Sequence, residues 1–177
     1  MSTPADILQA FSVQVYEPPL SHAREAKGFP DLTDPVTILM LAVDFETEVS
    51  MSGITDFIGN STGRYAPQTV QALEVIGCRE QAAQLREILR IASSAGMTHE
   101  AIQRDLEGHE AYEVVTFSQV HGSKWQAVTS AIAAAASAID LDAIYEHAEA
   151  FIAANQGAFT AAIRPSQGPP RNGGPGV

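Results

Sequence analysis

The stretch that decides the fold of this 177-residue chain is Gly53-Ile54-Thr55-Asp56-Phe57-Ile58-Gly59-Asn60-Ser61-Thr62-Gly63. Its second half matches the Gly-x-Ser-x-Gly pattern of a hydrolase nucleophile elbow, which needs a buried strand before the serine and a helix after it. Residues 53–58 are too short and too polar for the central strand of a sheet, and no alternation of strands and helices follows. The pattern therefore predicts a glycine-rich loop between two helices, in which Ser61 is not catalytic and bonds nearby backbone groups together with Asn60.

Helical periodicity dominates on both sides of this stretch. Thr33-Asp34-Pro35 is typical of a helix start, and the helix after it is predicted to end near Met51. Residues 64–76 and 79–94 predict two helices hinged at Gly77. Further helices are predicted over 5–15, 98–106, 110–120, 125–138 and 140–155, and the alanine-rich 125–138 helix is expected to be central and buried.

These elements predict an all-α fold, a single-domain helical bundle of about seven to nine helices. The helical domain is expected to cover residues 1–163, with the core that carries the deciding motif at about 36–92. Residues 164–177 are rich in proline and glycine and have no apolar period, which predicts a disordered tail.

Composition narrows the function classes. Apolar residues make up 45% of the chain, so a chain of this length can bury a substantial core. The formal net charge is −11, from 21 acidic and 10 basic residues, which argues against direct binding to nucleic acid and favours basic partners. The N-terminus shows no signal peptide and no apolar run approaches the roughly 20 residues of a membrane helix, so we expect a cytoplasmic protein that does not enter the membrane.

No pattern of catalytic or ligand-binding residues stands out. Cys78 is the only cysteine, and we interpret it as a small packing residue at a helix start. The five histidines show no i, i+3 or i+4 pairing, and Gly63 is followed by arginine where a phosphate-binding loop needs lysine. We therefore predict no catalytic residue, no metal site and no cofactor.

The acidic residues concentrate in three segments, 44–56, 100–113 and 140–149. Duplex DNA carries about one charge per 1.7 Å of axis, whereas one acid per helical turn gives roughly one per 6 Å. Imitating DNA would need two or three acidic helices side by side, and the alternative is a set of independently solvated helix faces. The candidate partner-binding residues are, in order of preference, Asp142, Glu146 and Glu149; then Glu107, Glu110 and Glu113; then Asp44 and Glu48.

The spacing around the deciding stretch resembles the core motif of the bacterial DNA-mimic protein family. The matching positions are Glu48-Val49, Gly53, Phe57-Ile58, Asn60-Ser61, Gly63, Ala72-Leu73 and Ile76-Gly77, within residues 36–92. The chain departs from the family where Met51-Ser52-Gly53 replaces Asn-Gly-Gly and Ile54 replaces an aromatic residue. The six structural motif positions are expected to serve loop geometry and packing: Gly53, Phe57, Asn60, Ser61, Gly63 and Gly77.

The resemblance implies an all-helical, acidic and often dimeric protein that binds a DNA-binding protein in place of DNA. Our leading hypothesis is therefore a non-enzymatic protein that presents acidic helices to a basic partner such as a DNA-binding regulator. An immunity or antitoxin-like protein that neutralises a toxin is the alternative, and an enzyme of unidentified type is the third.

Overall fold

The computed structural model describes residues 2–24, 28–59, 63–107 and 122–163. Over these ranges the chain forms ten α-helices and one 3-10 turn at Gly63–Tyr65, without a β-strand, which confirms the predicted all-α domain. The predicted 110–120 helix, the loop residues Asn60 and Ser61, and the 164–177 tail lie outside the described residues. The helices are α1 (Pro4–Gln14), α2 (Leu20–Ala23), α3 (Pro35–Ser52), α4 (Ile54–Gly59), α5 (Ala66–Ile76), α6 (Arg79–Ser94), α7 (His99–Glu107), α8 (Ser123–Ala136), α9 (Asp142–Ala154) and α10 (Gln156–Ala162).

Helix α3 is the centre of the fold. It begins as predicted, because the Asp34 carboxylate accepts hydrogen bonds from the amides of Val36 at 3.1 Å and Thr37 at 3.2 Å. All ten residues from Thr37 to Glu46 are buried, as expected for a helix that is surrounded on every side. It packs against α4, α5, α9 and α10, so these helices are arranged around one buried axis.

The expectation that the alanine-rich 125–138 helix is the buried centre is wrong. Helix α8 buries Val128 and Ile132, whereas Ala131, Ala133 and Ala134 are exposed. Alanine has the highest helix propensity, but it removes little apolar area from water when it is buried. The larger side chains of α3 therefore occupy the centre.

The hinge at Gly77 is present and has a defined geometry. Gly77 ends α5 in the left-handed conformation, with φ +99°, and the amides of Gly77 and Cys78 donate to the carbonyls of Glu74 at 3.2 Å and Leu73 at 2.8 Å. Cys78 is buried directly after this turn, and burial raises the pKa of its thiol to about 12. The thiol is therefore protonated at neutral pH, which makes it a poor nucleophile.

The described motif residues hold the connection from α3 to α5. Gly53 ends α3 at φ +87°, and the buried ring of Phe57 meets that of Phe45 edge-on, with centroids 5.0 Å apart. Gly63 is buried against the end of α4: a Cβ there would overlap the Phe57 carbonyl oxygen and lie 2.6 Å from that of Ile58. Close backbone approach therefore restricts this position to glycine.

Two apolar clusters share the sides of α3. One joins α3 to α4, α5, α6 and α8, and the other joins α3 to α1, α9 and α10. Side chains of α6 also hold the α8–α9 connection, because Gln81 donates to the Asp140 carbonyl at 3.0 Å and Gln84 to the Ala138 carbonyl at 2.8 Å. These contacts fix the start of α9, the helix that carries the first candidate acidic residues.

Candidate partner-binding surface

Helix α9 presents the three preferred acidic residues to solvent. The Asp140 carboxylate accepts from the Ala143 amide at 3.2 Å, which supports the start of the helix. Ile144, Ala148 and Ile152 are buried against the body of the protein. Asp142, Glu146 and Glu149 are exposed, and none of them forms an ion pair with another described residue. At 1.5 Å per residue these carboxylates follow one another along the axis by about 6 Å and then about 4.5 Å.

Tyr145 links this helix to α3. Its hydroxyl donates to the buried Glu46 carboxylate, which also accepts from the Ser50 hydroxyl at 2.7 Å. Burial raises the pKa of the Tyr145 phenol, and the hydrogen bond to Glu46 and the negative charges of Glu46 and Asp142 raise it further. The phenol therefore stays protonated and continues to donate to Glu46 across the physiological range.

Asp44, a third-choice candidate, does not belong to an exposed surface. It is 4% exposed and forms a two-point ion pair with Arg24, with Oδ1 at 2.5 Å and Oδ2 at 3.2 Å from guanidinium nitrogens. Arg24 also donates to the Val15 carbonyl at 2.6 Å. The expectation for Asp44 is corrected: it ties the segment after α1 to α3. Burial raises the pKa of its carboxyl group, and Arg24 opposes that change.

Glu48, the other third-choice residue, is half-buried one turn beyond Asp44. Burial raises the pKa of the Tyr16 phenol, and the negative charges of Asp44 and Glu48 raise it further. Helix α9 contacts α3 through the Tyr145–Glu46 hydrogen bond, so the 44–56 and 140–149 segments approach each other. We define the acidic surface as Asp142, Glu146 and Glu149 of α9 together with Glu48 of α3.

The second-choice residues cannot be assigned to this surface. Glu107 is the last residue of α7, and Glu110 and Glu113 follow it. The side chain of Glu107 and the whole of Glu110 and Glu113 lie outside the described residues. Their role in binding a partner remains a prediction.

Two acidic residues on α5 and α6 differ from those of α9 because they are paired with arginines. Glu74 contacts Arg86 and Glu87 contacts Arg90, each at 2.6 Å on the exposed surface. Ion pairs of this kind neutralise their carboxylates locally, although they contribute little to stability. The carboxylates of α9, which have no ion-pair partner among the residues that the structure describes, are therefore better placed to attract a basic partner than those of α5 and α6.

The described residues offer little for metal binding, for a reaction in a groove or for membrane insertion. In the described part of the chain, no group of three or more His, Cys, Asp or Glu side chains is arranged to hold a metal ion. An open groove beside α10 is lined by Ser2, Ile7, Gln156, Thr160 and Ile163, which include no titratable side chain. Within the described ranges, every helix is too short or too polar to cross a membrane.

The contacts that organise the surface had no local signal in the sequence. Tyr145 and Glu46 are 99 positions apart, and Arg24 and Asp44 are 20 apart. Helical periodicity predicts that the α9 carboxylates face solvent. It does not predict which helix the Tyr145 side chain contacts.

Comparison with known proteins identifies the family. A family model described as "DMP19-like protein" matches residues 30–155, from just before α3 to the end of α9. Searches of curated proteins and of solved structures find no match. The matched region includes the deciding stretch and every residue of the acidic surface. The chain therefore belongs to the DMP19-like protein family, which is a DNA-mimic family.

Proposed function

We propose that this protein is a non-enzymatic DNA mimic that binds a basic DNA-binding protein through the acidic surface. The observation that carries the proposal is the row of exposed carboxylates at i, i+4 and i+7 on α9, which have no ion-pair partner among the described residues. Family membership supports it, since the family comprises DNA mimics. We expect the partner to be met in the cytoplasm.

The charge spacing supports an imitation of one DNA strand rather than of a whole duplex. The α9 carboxylates are separated along the axis by about 5 Å on average, compared with about 3.4 Å between phosphates on one strand. Glu48 adds a charge on α3, the helix that α9 contacts through Tyr145 and Glu46. A homodimer, as the family resemblance implies, would present two such surfaces to a two-fold symmetric DNA-binding protein.

A non-enzymatic role is supported by what surrounds the titratable groups. Cys78 is buried with a raised thiol pKa, and the carboxylate of Glu46 accepts from the hydroxyls of Tyr145, Ser50 and Thr47. These arrangements stabilise packing and do not leave a group open to a substrate. No feature of the described residues favours the toxin-neutralising alternative over the proposed function.

The proposal predicts the behaviour of a triple variant, Asp142→Gln, Glu146→Gln and Glu149→Gln. We expect binding to a basic partner captured from the source lysate to weaken about tenfold or more at low salt, because long-range attraction between exposed charges is lost. The melting temperature should change by less than about 2 °C, since exposed substitutions cost little. Calorimetric titration at two salt concentrations, with thermal unfolding in parallel, measures both quantities.

The matched control replaces Asp56, Glu87 and Glu100 with Gln, which changes the net charge by the same amount on other exposed helices. It should retain most of the affinity. An equal loss in both variants would show that net charge alone drives binding. An unchanged affinity in the α9 variant would show that this row is only a solvated face.

A further inference from the structure

Two large apolar side chains are exposed at the end of α1, a helix that packs against α9. Val13 is 62% exposed in the last turn of α1, and Tyr16 is 49% exposed just after this helix. They are three positions apart in the sequence, where the chain leaves α1. Scattered exposed apolar residues need no explanation, so the case for this pair depends on its surroundings.

The Tyr16 ring is held in place by buried polar contacts. The Arg24 guanidinium lies over it, 5.5 Å from the ring centroid, and Arg24 is fixed by its ion pair with Asp44. An aromatic side chain that is fixed yet half-exposed loses little conformational entropy when a partner covers it.

Acidic residues lie close to the exposed pair. Glu17 follows Tyr16 directly and is exposed, and the charge of Glu48 reaches the Tyr16 phenol. Helix α1 also packs against α9, which carries Asp142 at its start. An apolar and aromatic centre within a polar rim is the usual anatomy of a protein–protein interface.

We infer that Val13 and Tyr16 form an apolar contact for the same basic partner, whose docking face combines an aromatic or aliphatic side chain with arginine or lysine. This inference rests on the proposed function and makes it more specific. The phosphates of DNA offer a DNA-binding protein no apolar contact. The Val13 and Tyr16 pair would therefore favour those DNA-binding proteins whose docking face carries a matching apolar side chain. A second copy of this chain would bring its own acidic surface against this one, and like-charge repulsion disfavours that occupant.

The test compares two hexapeptides of equal charge, one alternating arginine and tryptophan and the other alternating arginine and glycine. We expect the arginine–tryptophan peptide to bind the full chain about tenfold more tightly, as measured by calorimetric titration at low salt. Val13→Ser with Tyr16→Ser should abolish that preference. Val13→Ser alone should reduce it without disturbing Arg24, and the control Met51→Ser with Val75→Ser, which alters exposed apolar residues elsewhere, should retain it.

Three outcomes would overturn the inference. The preference could be absent in the wild type, or it could persist in the Val13 and Tyr16 variant. Alternatively, Val13→Ser could dissociate an oligomer in sedimentation, which would show that a second copy covers the pair. The proposed function is tested separately by the α9 triple variant with the arginine–glycine peptide: loss of that binding supports the charge mechanism even if the tryptophan preference is absent. Failure of both peptides to bind the wild type would contradict both proposals.

Discussion

Gly63→Ala is expected to destabilise the protein by about 3 kcal/mol or more, a shift in melting temperature of about 6–12 °C for a chain of this size. The added methyl group would overlap the Phe57 carbonyl oxygen and lie 2.6 Å from that of Ile58. Both obstacles are backbone atoms at the end of α4, so they cannot move away as a flexible side chain would. The carbonyls belong to residues whose side chains are buried in the core, and any shift disturbs that packing.

Gly96→Ala provides the control for this substitution. Gly96 has φ +78° and no atom within 4 Å of an added Cβ, so its substitution tests backbone strain without a steric clash. It should cost about 1 kcal/mol. Urea unfolding of both variants measures the difference, and a Gly63 variant no less stable than the Gly96 variant would contradict the packing described here.

Arg24→Met is expected to cost about 3 kcal/mol at neutral pH. The substitution leaves the Asp44 carboxylate buried without its cationic partner, and removing one member of a buried ion pair is far more damaging than removing an exposed pair. It also removes the donor to the Val15 carbonyl. The control is Arg90→Met, which breaks the exposed contact with Glu87 and should lower stability far less than Arg24→Met does.

The penalty of Arg24→Met should shrink as the pH falls. Burial already raises the pKa of Asp44 in the folded protein, and losing Arg24 removes the main opposing influence. A carboxyl group with a raised folded pKa binds its proton more tightly when folded, so acid favours the folded state. Relative to the wild type, the variant should recover stability as the pH drops through the folded pKa of Asp44 towards its unfolded value of about 3.9. A penalty independent of pH would indicate that the loss comes from packing rather than from the unpaired carboxylate.

Local features of the fold were predictable because their causes are local. Asp34 caps α3 through amides two and three positions away, and Gly77 adopts the left-handed conformation that separates α5 from α6. The exposed row on α9 follows from helical periodicity alone. Each of these depends on residues within one or two turns of the chain.

The other features of the fold depend on contacts between parts of the chain that are distant in the sequence. Helical periodicity could not rank α3 against α8 for the central position, because that choice depends on the volume that each helix fills in the assembled core. In the sequence, Asp44 is one of several acidic residues in the 44–56 segment. Its burial and its ion pair with Arg24 are visible only in the folded structure. The motif position Gly63 was marked by the family resemblance, while its physical reason, the approach of the α4 carbonyls, is visible only in three dimensions.

The most direct test of DNA mimicry is competition. A DNA-binding protein captured by this chain is first bound to a fluorescently labelled duplex, and the chain is then added while the anisotropy of the label is followed. The proposed function predicts that wild-type protein releases the duplex, with a midpoint that rises steeply with salt. The Asp142, Glu146 and Glu149 triple Gln variant should need about tenfold or more protein to do so. Anisotropy that stays at its bound value, or rises because a ternary complex forms on the DNA, would contradict the account.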